Sequence, residues 1–163
     1  MTVAYIGIGS NVGDRVENLR QALEHLDGIM SLERLSATYE TAPRYVLEQP
    51  PFLNMAVGGD TPLEPWLLLE QLKKFEIDIG RVPTEKRYGP RAIDLDILFY
   101  GSDVVSEPGL SVPHPLMVER EFVLRPLADI APNFQHPVLG CSVAKMLSLL
   151  EGEPEAQVVS IDV

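Results

Sequence analysis

An apolar, strand-forming run at residues 93–100 (IDLDILFY) follows a Gly-Pro break and contains only two charged residues, Asp94 and Asp96. Side chains alternate along a strand, so these two aspartates would share one face. Their α-carbons would be about 7 Å apart, because a strand rises about 3.3 Å per residue. The pattern also predicts an apolar opposite face, formed by Ile93, Leu95, Ile97 and Phe99. The run therefore predicts a strand with one acidic and one apolar side.

Two carboxylates side by side on a half-buried strand repel each other and lose hydration. A hard divalent cation with oxygen ligands, such as Mg²⁺, is the usual way to offset that cost. A basic stretch, residues 81–91, directly precedes the strand, although the chain has a net charge of -11; its cations are Arg81, Lys86, Arg87 and Arg91. Because arginine binds phosphate through two parallel hydrogen bonds, the combination indicates phosphoryl transfer. A solvated strand face beside an ordinary basic surface is the alternative.

The composition is that of a globular protein, with 163 residues, 45% apolar and 23% charged. We expect one domain over residues 1–163, with 151–163 a loose tail. The acidic net charge argues against nucleic acid or an anionic membrane as a partner. The single cysteine, Cys141, suits a reducing cytoplasm and the protein core. Since no basic segment precedes the apolar start and no long apolar run follows, we expect neither a signal peptide nor a membrane span.

Periodicity predicts alternating strands and helices. Strands are expected at residues 3–8, 32–39, 52–57, 93–100, 104–105, 110–112 and 158–159, and helices at 14–27, 61–79, 118–127 (ended by Pro126) and 142–150. Asp14 and Glu17 form a capping box, and Thr61 is expected to cap the second helix. The glycine-rich residues 7–13 are interpreted as a tight turn, because the spacing of the glycines does not fit a dinucleotide-binding loop. The order predicts an α+β fold, a ferredoxin-like βαββαβ sandwich with a mainly antiparallel sheet, helices outside and extra short C-terminal elements.

Polar residues in unusual settings are further candidates. Asn54 lies on an otherwise apolar strand, so its amide either bonds to the adjacent loop or contacts the edge of a ligand, with Phe52 on the same face as a stacking ring. Lys73 and Glu76 are spaced as a solvated i,i+3 ion pair on the second helix. His114 stands between two prolines and has either a structural or a ligand-binding role.

Several runs of this sequence resemble the 6-hydroxymethyl-7,8-dihydropterin pyrophosphokinase family of the folate pathway. They are GPRAIDLDI, VPHP, REFVLRPL, the opening AYIGIGSNVGD and QPPFLNMAV, and the resemblance covers nearly the whole chain. It implies a ferredoxin-like fold and transfer of pyrophosphate from ATP to the hydroxymethyl group of the dihydropterin, with release of AMP. ATP would be the cosubstrate, together with two Mg²⁺ ions. We expect small-molecule substrates and a monomer.

The resemblance also implies roles for individual residues. Asp94 and Asp96 would ligate the metal ions, while Arg91 and Arg81 would be catalytic, with Arg91 stabilising charge. The pterin would contact Thr41, Ala42, Phe52, Asn54, Tyr88 and Phe122, with the two phenylalanines on either side of its ring. The ATP side would be lined by Lys73, Glu76, Arg87, Arg91, Ile97, Leu110, Ser111, His114 and Arg120.

The sequence departs from the family pattern at a few of these places. Pro83 and Gly109 stand where many members carry arginine, and Lys73, Tyr88 and Pro115 replace a frequent Gln, Trp and Tyr. The acid pair, the two phenylalanines and the arginine of GPR remain. Besides the pyrophosphokinase, two function classes stay open: a descendant that binds nucleotide or pterin without efficient transfer, and a different metal-dependent phosphoryl or nucleotidyl transferase.

Overall fold

The structure is a computed structural model that describes residues 1–41, 50–80 and 91–150, together with the backbone of 156–159. The helices are α1 (Arg15–Asp27), α2 (Pro65–Ile79), α3 (Glu121–Ile130) and α4 (Val143–Ser148), with a 3-10 turn at Met117–Glu119. The strands are β1 (Thr2–Ser10), β2 (Ser31–Leu35), β3 (Thr38–Thr41), β4 (Phe52–Thr61), β5 (Asp94–Tyr100), β6 (Val105–Glu107), β7 (Leu110–Val112) and β8 (Ala156–Val159).

Most strands form one six-stranded antiparallel sheet in the order β5-β1-β4-β3-β8, with β2 also paired to β4. If β2 and β3 are counted as one interrupted strand, the first four strands of the sequence are arranged fourth-first-third-second. This arrangement, with α1 and α2 as the crossovers, is the ferredoxin-like βαββαβ plan, and the predicted fold class is confirmed. The strands β6 and β7 form a separate hairpin.

Helices cover the sheet on both faces. On one face, α1 and α2 pack through Leu19, Leu26, Leu68 and Leu72 onto apolar residues of the central strands. On the other face, α3 and α4 pack through Leu124, Leu127 and Met146 onto a second cluster that includes Tyr5 and Phe99. Burial of these two apolar layers is the main stabilising contribution of the fold.

The helix starts follow capping chemistry, with one error in the prediction. Asp14 caps α1 as expected, because its Oδ1 accepts from Glu17 N at 3.1 Å. The prediction that Thr61 caps α2 is wrong: Thr61 ends β4, its hydroxyl donates to Ile29 O at 3.1 Å, and α2 begins at Pro65 after Glu64. Two prolines in TPLEP fit a helix start, and the second one marks it.

The predicted second strand, 32–39, is in fact two strands. Ser36 lies between them and bonds to β4 with both its backbone and its side chain: Ser36 N donates to Ala56 O at 2.9 Å, and Ser36 Oγ accepts from Ala56 N at 2.8 Å. A side-chain hydroxyl thus replaces one backbone acceptor of the ladder, which interrupts the regular pairing.

Strand β5 alternates as predicted only up to Ile97. The register against β1 shifts between Tyr5 and Ile6, which pair with Phe99 and Ile97 respectively. Leu98 is the extra residue, and both Leu98 and Phe99 belong to the cluster under α3. The prediction that Phe99 shares a face with Leu95 and Ile97 is therefore wrong, because a bulge inverts the alternation.

Two expectations near the C-terminus also change. Pro126 lies inside α3 and does not end it, so the helix gives up one backbone hydrogen bond and continues to Ile130. Ala156–Val159 forms the edge strand β8 beside β3, so the predicted late strand exists and is longer than expected.

In the described part of the chain, none of the helices has the length and apolarity needed to cross a bilayer.

Candidate active site

Three neighbouring strands place the candidate residues in one row. Gly9 on β1 pairs with Asn54 on β4 and with Asp94 on β5, and two residues earlier Gly7 pairs with Ala56 and Asp96. Residues paired across antiparallel strands present their side chains to the same face. Asn54, Asp94 and Asp96 therefore lie on one face, and the α-carbons of Asn54 and Asp94 are about 10 Å apart, two strand spacings.

The middle of this row is open because it is formed by glycine. A Cβ atom added at Gly9 would lie 2.9 Å from Asn54 Oδ1 and 3.7 Å from Phe52 Cδ1. The prediction of a tight turn over residues 7–13 is wrong at its start, since β1 continues through Gly9 to Ser10. Sequence reasoning missed Gly9 as a site residue. The signal was available in the i,i+2 spacing of Gly7 and Gly9, which puts both on one strand face.

The amide of Asn54 is held by a neighbouring hydroxyl. Asn54 Nδ2 donates to Thr41 Oγ1 at 2.7 Å, and both residues are buried. Phe52 and Phe122 are partly exposed, at the start of β4 and in the first turn of α3. Asn54 and Thr41 therefore lie together, as an amide bonded within the protein would, while their contact with a ligand and the ring sandwich both stay predictions. Ala42 and Tyr88 lie outside the described residues.

Asp96 lies in an environment that disfavours its charged form. Burial, together with the neighbouring carboxylates of Asp94 and Glu76, raises the pKa of Asp96 to about 8, while Lys73 and Arg120 act in the opposite direction. Five charged candidates on α2, β5 and the start of α3 therefore lie within electrostatic reach of Asp96 or include it: Asp94, Asp96, Glu76, Lys73 and Arg120. Three carboxylates (Asp94, Asp96 and Glu76) and two cations (Lys73 and Arg120) make up the group, and the clustering of carboxylates makes it a candidate cation site.

Glu76 contributes more to this group than a surface ion pair would. Its side chain is only 2% exposed, and its Oε2 accepts from Leu95 N at 2.8 Å. Lys73 Nζ lies 3.4 Å from Oε1, so the i,i+3 pair exists, but the expectation that it is solvated is wrong for Glu76. Strand β5 is a sheet edge, and the carboxylate satisfies an outward amide located between Asp94 and Asp96. Glu76 therefore fixes the backbone that carries the acid pair.

Two asparagines, Asn11 and Asn18, form hydrogen bonds with the backbone of the residues just before β5. Arg91 is buried, and Asn11 bonds to its backbone. Asn18 on α1 donates from Nδ2 to Ala92 O at 3.0 Å and to Val12 O at 2.9 Å. Sequence reasoning missed these two asparagines. Asn18 could have been noticed as an amide beside Leu19 on the apolar side of α1.

His114 and Arg120 lie near enough to the acid pair to interact with it electrostatically. His114 N donates to Leu98 O at 3.1 Å, which ties it to β5. Burial lowers the pKa of His114, as does the charge of Arg120, and Asp94 opposes both. Arg120 also lies over the ring of Phe122, with its Cζ 5.6 Å from the ring centroid. Arg120, a candidate for phosphate contact, and Phe122, a candidate for pterin contact, therefore lie side by side at the start of α3.

The other predicted ATP-side residues differ in their placement. Ile97 and Leu110 are buried in the core cluster under α1 and α2, whereas Ser111 is exposed on the hairpin. Arg81 and Arg87 lie outside the described residues.

The donor chemistry of the acid pair fits a hard cation. Among the described residues there is no group of three or more His, Cys, Asp or Glu side chains placed to hold a metal ion. Two carboxylates alone suit Mg²⁺ when phosphate oxygens and water complete its octahedron. A cation held by Asp94 and Asp96 would offset the burial and the carboxylate repulsion that raise the pKa of Asp96.

Comparison with known proteins assigns the family. Residues 5–132 match the family model described as 7,8-dihydro-6-hydroxymethylpterin-pyrophosphokinase. A Bacillus subtilis (strain 168) protein named 2-amino-4-hydroxy-6-hydroxymethyldihydropteridine pyrophosphokinase is 47% identical over 135 residues, which are 82% of this chain and 80% of that protein. A relative of the same name from Aquifex aeolicus is 41% identical over 138 residues, 85% of this chain and 86% of that protein.

Other relatives are much longer. The Folic acid synthesis protein FOL1 of Dictyostelium discoideum is 43% identical over 144 residues, 88% of this chain, but the match spans only 22% of that protein. The crystal structure of Plasmodium falciparum HPPK-DHPS superposes with a TM-score of 0.73 over 90% of this chain and 44% of that one, at 16% identity, and shows the shared fold. From the family model and the relatives of similar length, the chain belongs to the 7,8-dihydro-6-hydroxymethylpterin-pyrophosphokinase family.

Proposed function

We propose that this chain transfers the pyrophosphoryl group of ATP to the hydroxymethyl group of 6-hydroxymethyl-7,8-dihydropterin and releases AMP, as a step of folate biosynthesis. The observation that carries the proposal is the row Asn54–Gly9–Asp94 across β4, β1 and β5. It combines an amide suited to a heterocycle with a carboxylate pair suited to a metal and phosphates, on one face of one sheet. Membership of the family supports the same reaction.

The pterin side of the proposal uses shape and hydrogen bonding. A flat ring would lie between Phe52 and Phe122, and its polar edge would meet Asn54 and Thr41. The hydrogen bond between Asn54 and Thr41 fixes the amide before the substrate arrives, which lowers the entropy cost of binding. Backbone of Ala42 and the ring of Tyr88 complete the proposed contacts.

The phosphate side of the proposal uses charge. Asp94 and Asp96 would hold two Mg²⁺ ions, and the cations of the chain would meet the remaining phosphate oxygens. Bound Mg²⁺ would supply charge neutralisation of the triphosphate and of its transition state. The proposed cationic contacts come from Lys73, Arg81, Arg87, Arg91 and Arg120, with His114 beside them; Glu76, Ile97, Leu110 and Ser111 would position or line the nucleotide site.

The proposed chemistry is a displacement at phosphorus. The substrate hydroxyl oxygen attacks the β-phosphorus in line, the bond from the β-phosphorus to the oxygen shared with the α-phosphorus breaks, and AMP leaves with that oxygen. The hydroxyl proton is released. The residues act by placing the two substrates and by stabilising charge, with Arg91 as the main stabiliser, because such a displacement depends more on position than on a strong base.

Three further features belong to the proposal. The chain acts as one domain and as a monomer, and it works in the cytoplasm, where its lone Cys141 stays reduced.

The test measures AMP formed from ATP while the dihydropterin and Mg²⁺ are omitted in turn. We expect AMP only when all three are present. ATP binding without AMP formation would favour a nucleotide-binding descendant, which Pro83 and Gly109 motivate. Binding of ATP without any binding of pterin would favour another metal-dependent transferase.

A further inference from the structure

The β6–β7 hairpin is a weakly supported element next to the proposed nucleotide site. Each of its strands is three residues long and pairs only with the other among the described strands. A two-stranded hairpin of this size is marginal in water without other contacts. Leu110 and Val112 anchor it in the core, whereas Ser111 and its turn are exposed. Something outside the hairpin must therefore hold its turn in place.

Trp66 on α2 contacts this turn in two ways. Its indole Nε1 donates to Glu107 Oε2 at the end of β6. Its ring also covers Gly109, since a Cβ atom added there would lie 3.6 Å from Trp66 Cη2. Gly109 has φ +87, a backbone conformation that favours glycine, so this residue both allows the turn and leaves room for the ring.

The same helix carries residues of the acid group. Lys73 is seven residues after Trp66, two turns along α2 and about 10 Å away on the same side. Lys73 and Glu76 interact with each other and with Asp96. Helix α2 therefore contacts the hairpin turn near its start and the acid group near its end.

We propose that Trp66 is a positioning residue for nucleotide binding, which fixes the hairpin turn on α2 so that Leu110 and Ser111 keep a set distance from Asp94 and Asp96. This inference rests on the proposed function, in which the hairpin lines the nucleotide site. Trp66 touches no substrate. Trp66 acts by holding the hairpin, so its loss weakens binding of ATP and leaves the pterin contacts on β3, β4 and α3 unchanged.

The experiment compares steady-state constants of Trp66→Ala and Trp66→Phe with the wild type. Trp66→Ala removes both contacts, and we expect KM for ATP to rise about tenfold, with KM for the dihydropterin and kcat within about twofold. Trp66→Phe keeps a ring over Gly109 and loses the donor, so its effect is smaller. Glu107→Gln keeps an acceptor for the indole and restores near-normal constants, whereas Glu107→Ala does not. Leu67→Ala, at the exposed neighbouring position, is the matched control.

A second readout does not require turnover. Trp66 is the only tryptophan of the chain, so its fluorescence reports on this contact directly. A non-hydrolysable ATP analogue with Mg²⁺ should change the emission without pterin, and calorimetry should give a Kd about tenfold weaker for Trp66→Ala. Unchanged Kd and KM for ATP in Trp66→Ala, or equal losses for ATP and pterin, would overturn the positioning role.

These results separate the inference from the proposed activity. If the wild type binds the analogue but forms no AMP, the activity proposal fails, and the Kd comparison still decides the role of Trp66. If the wild type binds no nucleotide at all, both proposals are refuted.

Discussion

Asn11 and Arg91 are joined by a reciprocal pair of hydrogen bonds: Asn11 N donates to Arg91 O at 3.0 Å, and Arg91 N donates to Asn11 Oδ1 at 2.8 Å. Asn11 Nδ2 also donates to Pro50 O at 2.9 Å. Asn11 directly follows β1, Pro50 shortly precedes β4, and Arg91 shortly precedes β5. One buried amide therefore ties together the ends of the three strands that form the candidate site.

Asn11→Ala should weaken both stability and turnover. It leaves Arg91 N buried without its acceptor, which costs about 1–3 kcal/mol in the free energy of unfolding. The measurement is urea unfolding together with AMP formation. Asn11→Asp keeps an acceptor for Arg91 N but places a buried carboxylate against Pro50 O, so it should not restore the stability of the wild type. A urea midpoint for Asn11→Ala equal to that of the wild type would contradict the anchoring role.

Asp96→Asn should abolish activity without unfolding the protein. Loss of one proposed metal ligand lowers kcat by about 10³-fold or more. The stability of the ligand-free protein should stay the same or rise, because the folded state no longer has to hold a buried carboxyl group beside Asp94 and Glu76. Addition of Mg²⁺ and an ATP analogue should raise the Tm of the wild type and leave the Tm of the variant unchanged. Asp103→Asn, on the exposed turn after β5, is the control. Retained turnover in Asp96→Asn would refute the metal-ligand role.

Gly9→Ala should act on pterin binding, and Gly7→Ala should not. The new methyl group at residue 9 would approach Asn54 Oδ1 to 2.9 Å and displace the amide, whereas at residue 7 it would make ordinary contact with Leu98 at 3.4 Å. We expect KM for the dihydropterin to rise about tenfold or more in the first variant, the effect of losing about 1.4 kcal/mol of binding energy. Steady-state kinetics with each substrate varied in turn measure this. An equal KM for the dihydropterin in the two variants would contradict a role of the open position at Gly9 in pterin binding.

Arg91→Ala should lower kcat by about 10²-fold if the guanidinium meets charge that develops on the phosphates. Because Arg91 is buried, urea unfolding must accompany the kinetics to separate a folding defect. Arg125→Ala is the control: it also removes one arginine, together with the ion pair of that arginine to Glu121 on α3. A fall in kcat no larger than that of Arg125→Ala would remove Arg91 from the charge-stabilising role.

His136 should make the protein less stable in acid. Burial lowers its pKa below the ordinary value of about 6.5, so the unfolded chain takes up the proton first as the pH falls. The contribution is complete above about pH 6.5 and is lost as the pH falls through the lower, folded-state pKa. His136→Asn keeps an acceptor in place of Nδ1 for the amides of Val138 and Leu139 and removes the titration. Urea midpoints between pH 8 and pH 5 should fall less in the variant, and equal slopes would contradict this assignment.

Local chemistry made several elements predictable. Asp14 caps α1 through contacts within four residues, and the apolar spacing of α2 buries Leu68, Leu72 and Phe75 as expected. The alternation of β5 puts Asp94 and Asp96 on one side for the same reason. By contrast, the break between β2 and β3 depends on Ser36 meeting Ala56, twenty residues later, and no local pattern announces it.

The sequence by itself determined the acid pair, the strand that carries it, the two crossover helices and the family resemblance, because these depend on residue spacing over a few positions. Only the tertiary structure decided that Gly9 lies between Asn54 and Asp94, that Glu76 is buried against Leu95, and that Asn11 holds Arg91. Those partners are 19 to 85 residues apart in the chain, and the packing and strand register of the folded protein bring them together. Register and burial are fixed by the packing of the whole sheet, which short-range pattern does not encode.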